Sequence, residues 1–128
     1  MSPEGPAPGA RPFWVLLLQR DSPDSLYEAA AMTAAAVSLG LDVTLIWFDA
    51  ALESLVTGRL AQDDPELGAA ARLLAESRET GNLRSLACSA SLVNRRLDRG
   101  ALARCVDDLI GWPTAISLIR SAERSFVW

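Results

Sequence analysis

The stretch Phe13–Phe48, FWVLLLQRDSPDSLYEAAAMTAAAVSLGLDVTLIWF, decides the fold. It holds two apolar runs joined by one capped helix. Phe13 to Leu18 is unbroken apolar sequence, the pattern of a strand covered on both faces of a parallel sheet. Gln19 to Ser22 is polar and forms the turn. Ser22 can cap the next helix, with Pro23 at its first position and Asp24 in its first turn, near the positive end of the helix dipole. The helix runs to about Leu39 and stops at Gly40, a residue suited to a helix C-terminus. Leu41 to Phe48 is rich in β-branched and aromatic residues and reads as the second strand.

The helix between them has an unusual composition. Between Leu26 and Leu39 only Glu28, Thr33 and Ser38 are polar. A surface helix needs a single apolar stripe. Apolar character nearly all round points to a second covered face, which in a chain this small is a subunit interface. Alanine is also simply a good helix former that tolerates water, so both readings stand.

Onward from Phe48 the pattern repeats. Asp49 to Val56 reads as a short helix ending at Gly58. Asp64 caps a third helix with Pro65 at its first position, and Gly81 closes it. Arg84 to Cys88 is the third strand. Ser91 to about Leu97 is helical or loop-like, and Gly100 breaks it. A short fourth strand is expected around Ala103 to Val106. Trp112-Pro113-Thr114 opens a last helix through about Ala122, and Ser125 to Trp128 is a final short strand. Strands alternating with helices give an α/β domain, in three α/β/α layers around a mostly parallel sheet of about five strands. Residues 1–11, rich in Pro, Gly and Ala, read as a flexible tail, and residues 12–128 as a single domain.

Composition narrows the chemistry. The chain has 128 residues, enough for one domain with a real core. It contains no histidine, and all 12 basic residues are arginine. Ser-His and Cys-His pairs, His-metal sites, Schiff bases and a Walker lysine are thereby excluded. The loop QRDSPDS after the first strand lacks the glycines of a phosphate cradle. A net charge of -4 argues against a broad nucleic-acid surface. The apolar runs are too short to span a bilayer, and the first residues lack the basic start and apolar core of a secretory peptide. A cytoplasmic, reducing setting with free thiols is expected, and no metal or organic cofactor.

What remains is Cys88, in RSLACSASLVNRRLDRG (Arg84–Gly100). In parallel sheets, reacting groups collect at the carboxyl ends of strands, and Cys88 ends one. A helix start nearby and arginines lower a thiol pKa. Ser89 and Ser91 would supply backbone N–H groups, and Arg95 and Arg96 positive charge. The bland alternative is a small buried hydrophobe, the usual fate of a free cysteine. Cys105 reads as a core residue in a strand, with a resolving thiol for Cys88 as the minority reading. The pairs Asp107-Asp108 and Asp63-Asp64 read as loop solvation or helix capping.

The order of these features resembles the DsrE/DsrF/TusD-like sulfur-relay family over roughly Phe13 to Trp128. Three segments carry the resemblance. They are the strand, Ala-rich helix and strand of Phe13 to Phe48; LACSASLVNRR, Leu86 to Arg96; and LIGWPTAISLIRSAERSFVW, Leu109 to Trp128. The middle segment is similar to one in which a strand-end Cys precedes small residues and arginines. Three departures stand out: Leu-Asp separates the Arg pair from Arg99-Gly100, the segment between the motif and the final helix is shorter, and Trp112-Pro113 replaces smaller residues. The resemblance implies that Cys88 accepts sulfane sulfur as a persulfide and passes it between donor and acceptor partner proteins. It also implies a homo- or hetero-oligomer, a trimer or hexamer. Some members are structural and lack the Cys. A non-catalytic assembly subunit, a small-molecule binding domain without a phosphate loop and a two-cysteine redox switch are therefore the rival expectations.

Overall fold

The computed structural model describes residues 11–128. Five strands and six helices follow one another: β1 (Phe13–Leu18), α1 (Pro23–Ser38), β2 (Asp42–Trp47), α2 (Asp49–Val56), α3 (Gly68–Glu79), β3 (Leu83–Cys88), α4 (Ser89–Asn94), α5 (Arg99–Cys105), β4 (Asp108–Ile110), α6 (Trp112–Ser121) and β5 (Arg124–Val127). The strands form one sheet in the order β4-β3-β2-β1-β5, every pairing parallel. The expected α/β class and three layers are present, and the sheet is wholly parallel.

Topology assigns the layers. The chain steps one strand at a time from β1 to β4, then returns past β1 to lay β5 on the far edge. Right-handed crossovers put the helices of the outward steps on one face and the helix of the return on the other. The core divides accordingly. Leu16, Leu18, Leu45 and Trp47 pack with Leu26, Ala30, Ala70 and Leu102 of α1, α3 and α5. Val15, Leu17, Ile46, Leu86 and Cys88 pack on the other face with Ala115 of α6, flanked by Leu118 and Ile119. Unbroken apolar strands are thus buried on both sides, the arrangement a parallel sheet requires.

Local signals set the ends of α1. Ser22 Oγ accepts the Ser25 N–H at 3.2 Å, with Pro23 next. At the other end Leu41 N–H reaches Ala36 O at 3.1 Å and Gly40 N–H reaches Val37 O at 3.0 Å. These two bonds make a Schellman cap, which places Gly40 at a φ of 85° that a side chain disfavours. The inward face of α1 is Leu26, Ala29, Ala30, Thr33, Ala36 and Val37. Its outward face keeps Tyr27 exposed, as is Leu39 just past its end.

Two expectations are corrected. The fourth strand lies at Asp108–Ile110, and Ala103 to Val106 is not a strand. Residues 99–105 are helical because Asp98 caps them, its carboxylate accepting the Ala101 N–H at 2.9 Å. Pairing with the end of β3, Cys88 opposite Ile110, then selects the residues after that helix as strand. Cys105 therefore sits at a helix end. The helix expected from Pro65 begins as a turn, with Asp64 Oδ1 accepting the N–H groups of Glu66 and Leu67 at 2.8 and 2.7 Å. Regular α3 starts at Gly68. The tail expected at 1–11 lies outside the described residues except for Arg11. Its guanidinium donates to Gly40 O at 2.6 Å and pairs with Asp42 at 3.5 Å, so it belongs to the domain.

Candidate functional site

Cys88 is the last residue of β3, and α4 starts at the next residue. Strand alternation turns Leu86 and Cys88 to the α6 face, while Leu83 and Ser85 face the other way. Cys88 is 2% exposed and lies among Ile46, Phe48, Leu86, Ile110 and Ala115. The return connection supplies its cover. Trp112 stacks on Phe48 with ring centroids 5.0 Å apart and planes at 24°. A Cβ built on Gly111 would stand 3.8 Å from Ser89 Oγ, so the β4–α6 turn runs close over the start of α4. Trp112, which stands where the resembled family has a smaller residue, meets the cluster through Phe48 and is itself 48% exposed.

The other predicted residues divide by position. Ser89 is half-buried beside Cys88. Ser91, 3% exposed, bonds to α2: its hydroxyl accepts the Asp49 N–H and donates to Asp49 Oδ1, both at 3.0 Å. Asp49 takes a φ of 46°, a left-handed conformation that this double bond holds in place. Arg95 also reaches α2, donating to Glu53 Oε2 at 3.3 Å. Arg96 is exposed at the end of α4 with a φ of 52°. The side chains of Ser91 and Arg95 tie the β3–α4 junction to the β2–α2 junction. Arg59 and Asp21 add a further link at this end of the sheet, 3.0 Å apart.

Cys105 lies on the opposite face. It is half-buried, its thiol donates to Leu55 O at 3.7 Å, and it lines a cavity with Leu45, Trp47 and Leu83. The sheet separates it from Cys88, and both thiols are free. The carboxylate pairs have structural partners. Asp107 Oδ2 accepts the Ser85 N–H at 2.8 Å, and its Oδ1 accepts from Arg78 at 2.6 Å. The Leu67 and Glu66 N–H groups stabilise ionised Asp64 and hold its pKa below the ordinary Asp range. Among the described residues, no group of three His, Cys, Asp or Glu side chains could hold a metal ion, and no helix is long and apolar enough to cross a membrane.

Sequence reasoning missed Asp49, Glu53 and the Phe48–Trp112 stack. Asp49 reads as an ordinary acid in a first helical turn, and nothing local marks Ser91, 42 residues later, as its partner. No family model and no curated protein matches the chain.

Proposed function

We propose that this chain is a DsrE-like assembly subunit, which works through an oligomeric interface and keeps Cys88 as a core residue. The burial of Cys88 carries the reading. A thiol that is 2% exposed in an apolar cluster lacks the access a sulfur acceptor needs. Engagement of Ser91 and Arg95 by α2 supports it. The surface for assembly is the outward side of α1 with the β5 edge. There Trp14, Tyr27, Met32, Ala35, Leu39 and Trp128 line an open groove of about 660 Å3. Contiguous apolar surface of this kind is uncommon on monomers and marks interaction sites.

Alkylation tests the reading. Iodoacetamide applied to the folded protein is expected to modify Cys105 first. Cys88 should react only at the rate of global unfolding, measured in parallel by hydrogen exchange. Rapid native labelling of Cys88 defeats the proposal.

A second reading, sulfur carriage on Cys88, draws on one observation: the thiol ends a strand where a helix begins. In that chemistry the Cys88 thiolate attacks the outer sulfur of a donor persulfide. A new S–S bond forms at Cys88, the donor S–S bond breaks, and the donor leaves as a thiolate. A partner thiolate then takes the outer sulfur by the same exchange. Intact mass after exposure to a persulfide donor decides it. One added sulfur in the parent, absent in Cys88→Ser, establishes the carrier and displaces the assembly-only reading.

A further inference from the structure

The groove on the outer side of α1 reaches from Tyr27 to Leu39, with Trp14 of β1 and Trp128, which follows β5, along it. At a helical rise of 1.5 Å per residue that span is about 18 Å. Trp14 and Trp128 give their indole N–H groups to Glu123 and Glu28, each at 3.3 Å, and these bonds hold both rings at the groove. Tyr27 is 50% exposed at one end and Leu39 80% at the other.

The chain enters the domain at the Leu39 end of this groove. Arg11 donates to Gly40 O at 2.6 Å and pairs with Asp42, and Gly40 directly follows Leu39. Trp14, three residues beyond Arg11, is itself part of the groove. Residues 1–10, MSPEGPAPGA, are thus tethered beside it. Pro3, Pro6 and Pro8 punctuate that segment, and Glu4 is its one charged side chain. Such a sequence suits the polyproline II helix, whose rise of about 3.1 Å per residue gives the 10 residues a reach of about 31 Å, longer than the groove. Proline-rich segments dock in aromatic-lined grooves because their extended shape is preformed and loses little entropy on binding. A short tether adds an effective concentration in the millimolar range. We propose that residues 1–10 dock along the α1 groove of their own chain as an extended proline-rich segment, and that a second copy must displace them to assemble there. The docking stands on the groove and the tether; its effect on assembly rests on the assembly reading.

The test compares the full chain with one whose residues 2–10 are replaced by alternating Gly and Ser, which keeps the length of the tether. Hydroxyl-radical footprinting, read by mass spectrometry, is run below the association midpoint found by sedimentation, so that no second copy covers the groove. Oxidation of Tyr27 and Trp128 should rise at least threefold in the replaced chain. Trp112, 48% exposed at the start of α6, is the internal control and should not change. The replaced chain should also associate at least threefold more tightly, because nothing within it competes for the groove. Equal oxidation of Tyr27 and Trp128 in the two chains overturns the docking, whatever sedimentation shows. Raised oxidation with unchanged association overturns the competition. Two chains that stay monomeric at every concentration sink the assembly reading, and the footprint then decides the docking by itself.

Discussion

At the scale of single residues, side chains that look reactive in the sequence are mostly holding the backbone. Ser91 stabilises the left-handed turn at Asp49 through two hydrogen bonds, each contributing on the order of 1 kcal/mol, more where the acceptor is ionised. Asp64 caps a helical turn, and its titration carries a pH signature. Its folded-state pKa is depressed because Leu67 and Glu66 N–H groups bind the ionised carboxylate. A depressed carboxylate contributes stability above its unfolded value, near 3.9, and loses it as the pH falls through the folded value. Asp64→Asn should therefore unfold with a shallower loss of stability below about pH 4 than the parent, while keeping the neutral amide cap. Urea midpoints at a series of pH values check this. Parallel acid limbs in the two proteins would remove Asp64 from the account.

Among the elements, α3 shows how a neighbouring loop fixes a helix start. Gly68 begins the helix tight against the loop before it, and a Cβ there would lie 2.6 Å from Gln62 O. Because the obstacle is backbone, relief requires the loop itself to shift. Gly68→Ala should lower stability by about 1–2 kcal/mol. Overpacking costs about 1–3 kcal/mol, partly offset by the better helix propensity of alanine. Chemical denaturation measures it, and an unchanged or raised midpoint would show that the loop yields freely. The misplaced fourth strand teaches the converse. Val106 carries β propensity, but Asp98 caps a helix through Cys105, and hydrogen bonding with the end of β3 makes Asp108–Ile110 the strand. Strand propensity is weak against a paired edge, and a three-residue strand has little pattern of its own.

For the molecule as a whole, strand order and crossover handedness decide what is covered. The outward steps place α1, α3 and α5 on one face, and the single return brings α6 over Cys88 on the other. Among the described residues nothing covers the outer side of α1 and the β5 edge, with Leu39 80% and Val127 65% exposed. If that surface joins subunits, the parent should sediment as an oligomer at micromolar concentration. Tyr27→Arg combined with Leu39→Arg should then yield a folded monomer, since Tyr27 on α1 and Leu39 just past its end are both exposed and line the groove. A parent that is monomeric throughout would leave the assembly reading without support. The sequence by itself determined the α/β class, the ends of β1 and α1 and the strand-end position of Cys88. Those features rest on contiguous residues: apolar runs, a Ser-Pro-Asp start and a Leu-Gly stop. Tertiary structure alone decided that Cys88 is buried, that the side chains of Ser91 and Arg95 bond to α2, that Cys105 lies across the sheet, and that Trp47 has an unanswered donor. Each of these depends on which distant residues the sheet order brings together, and local periodicity carries no record of that.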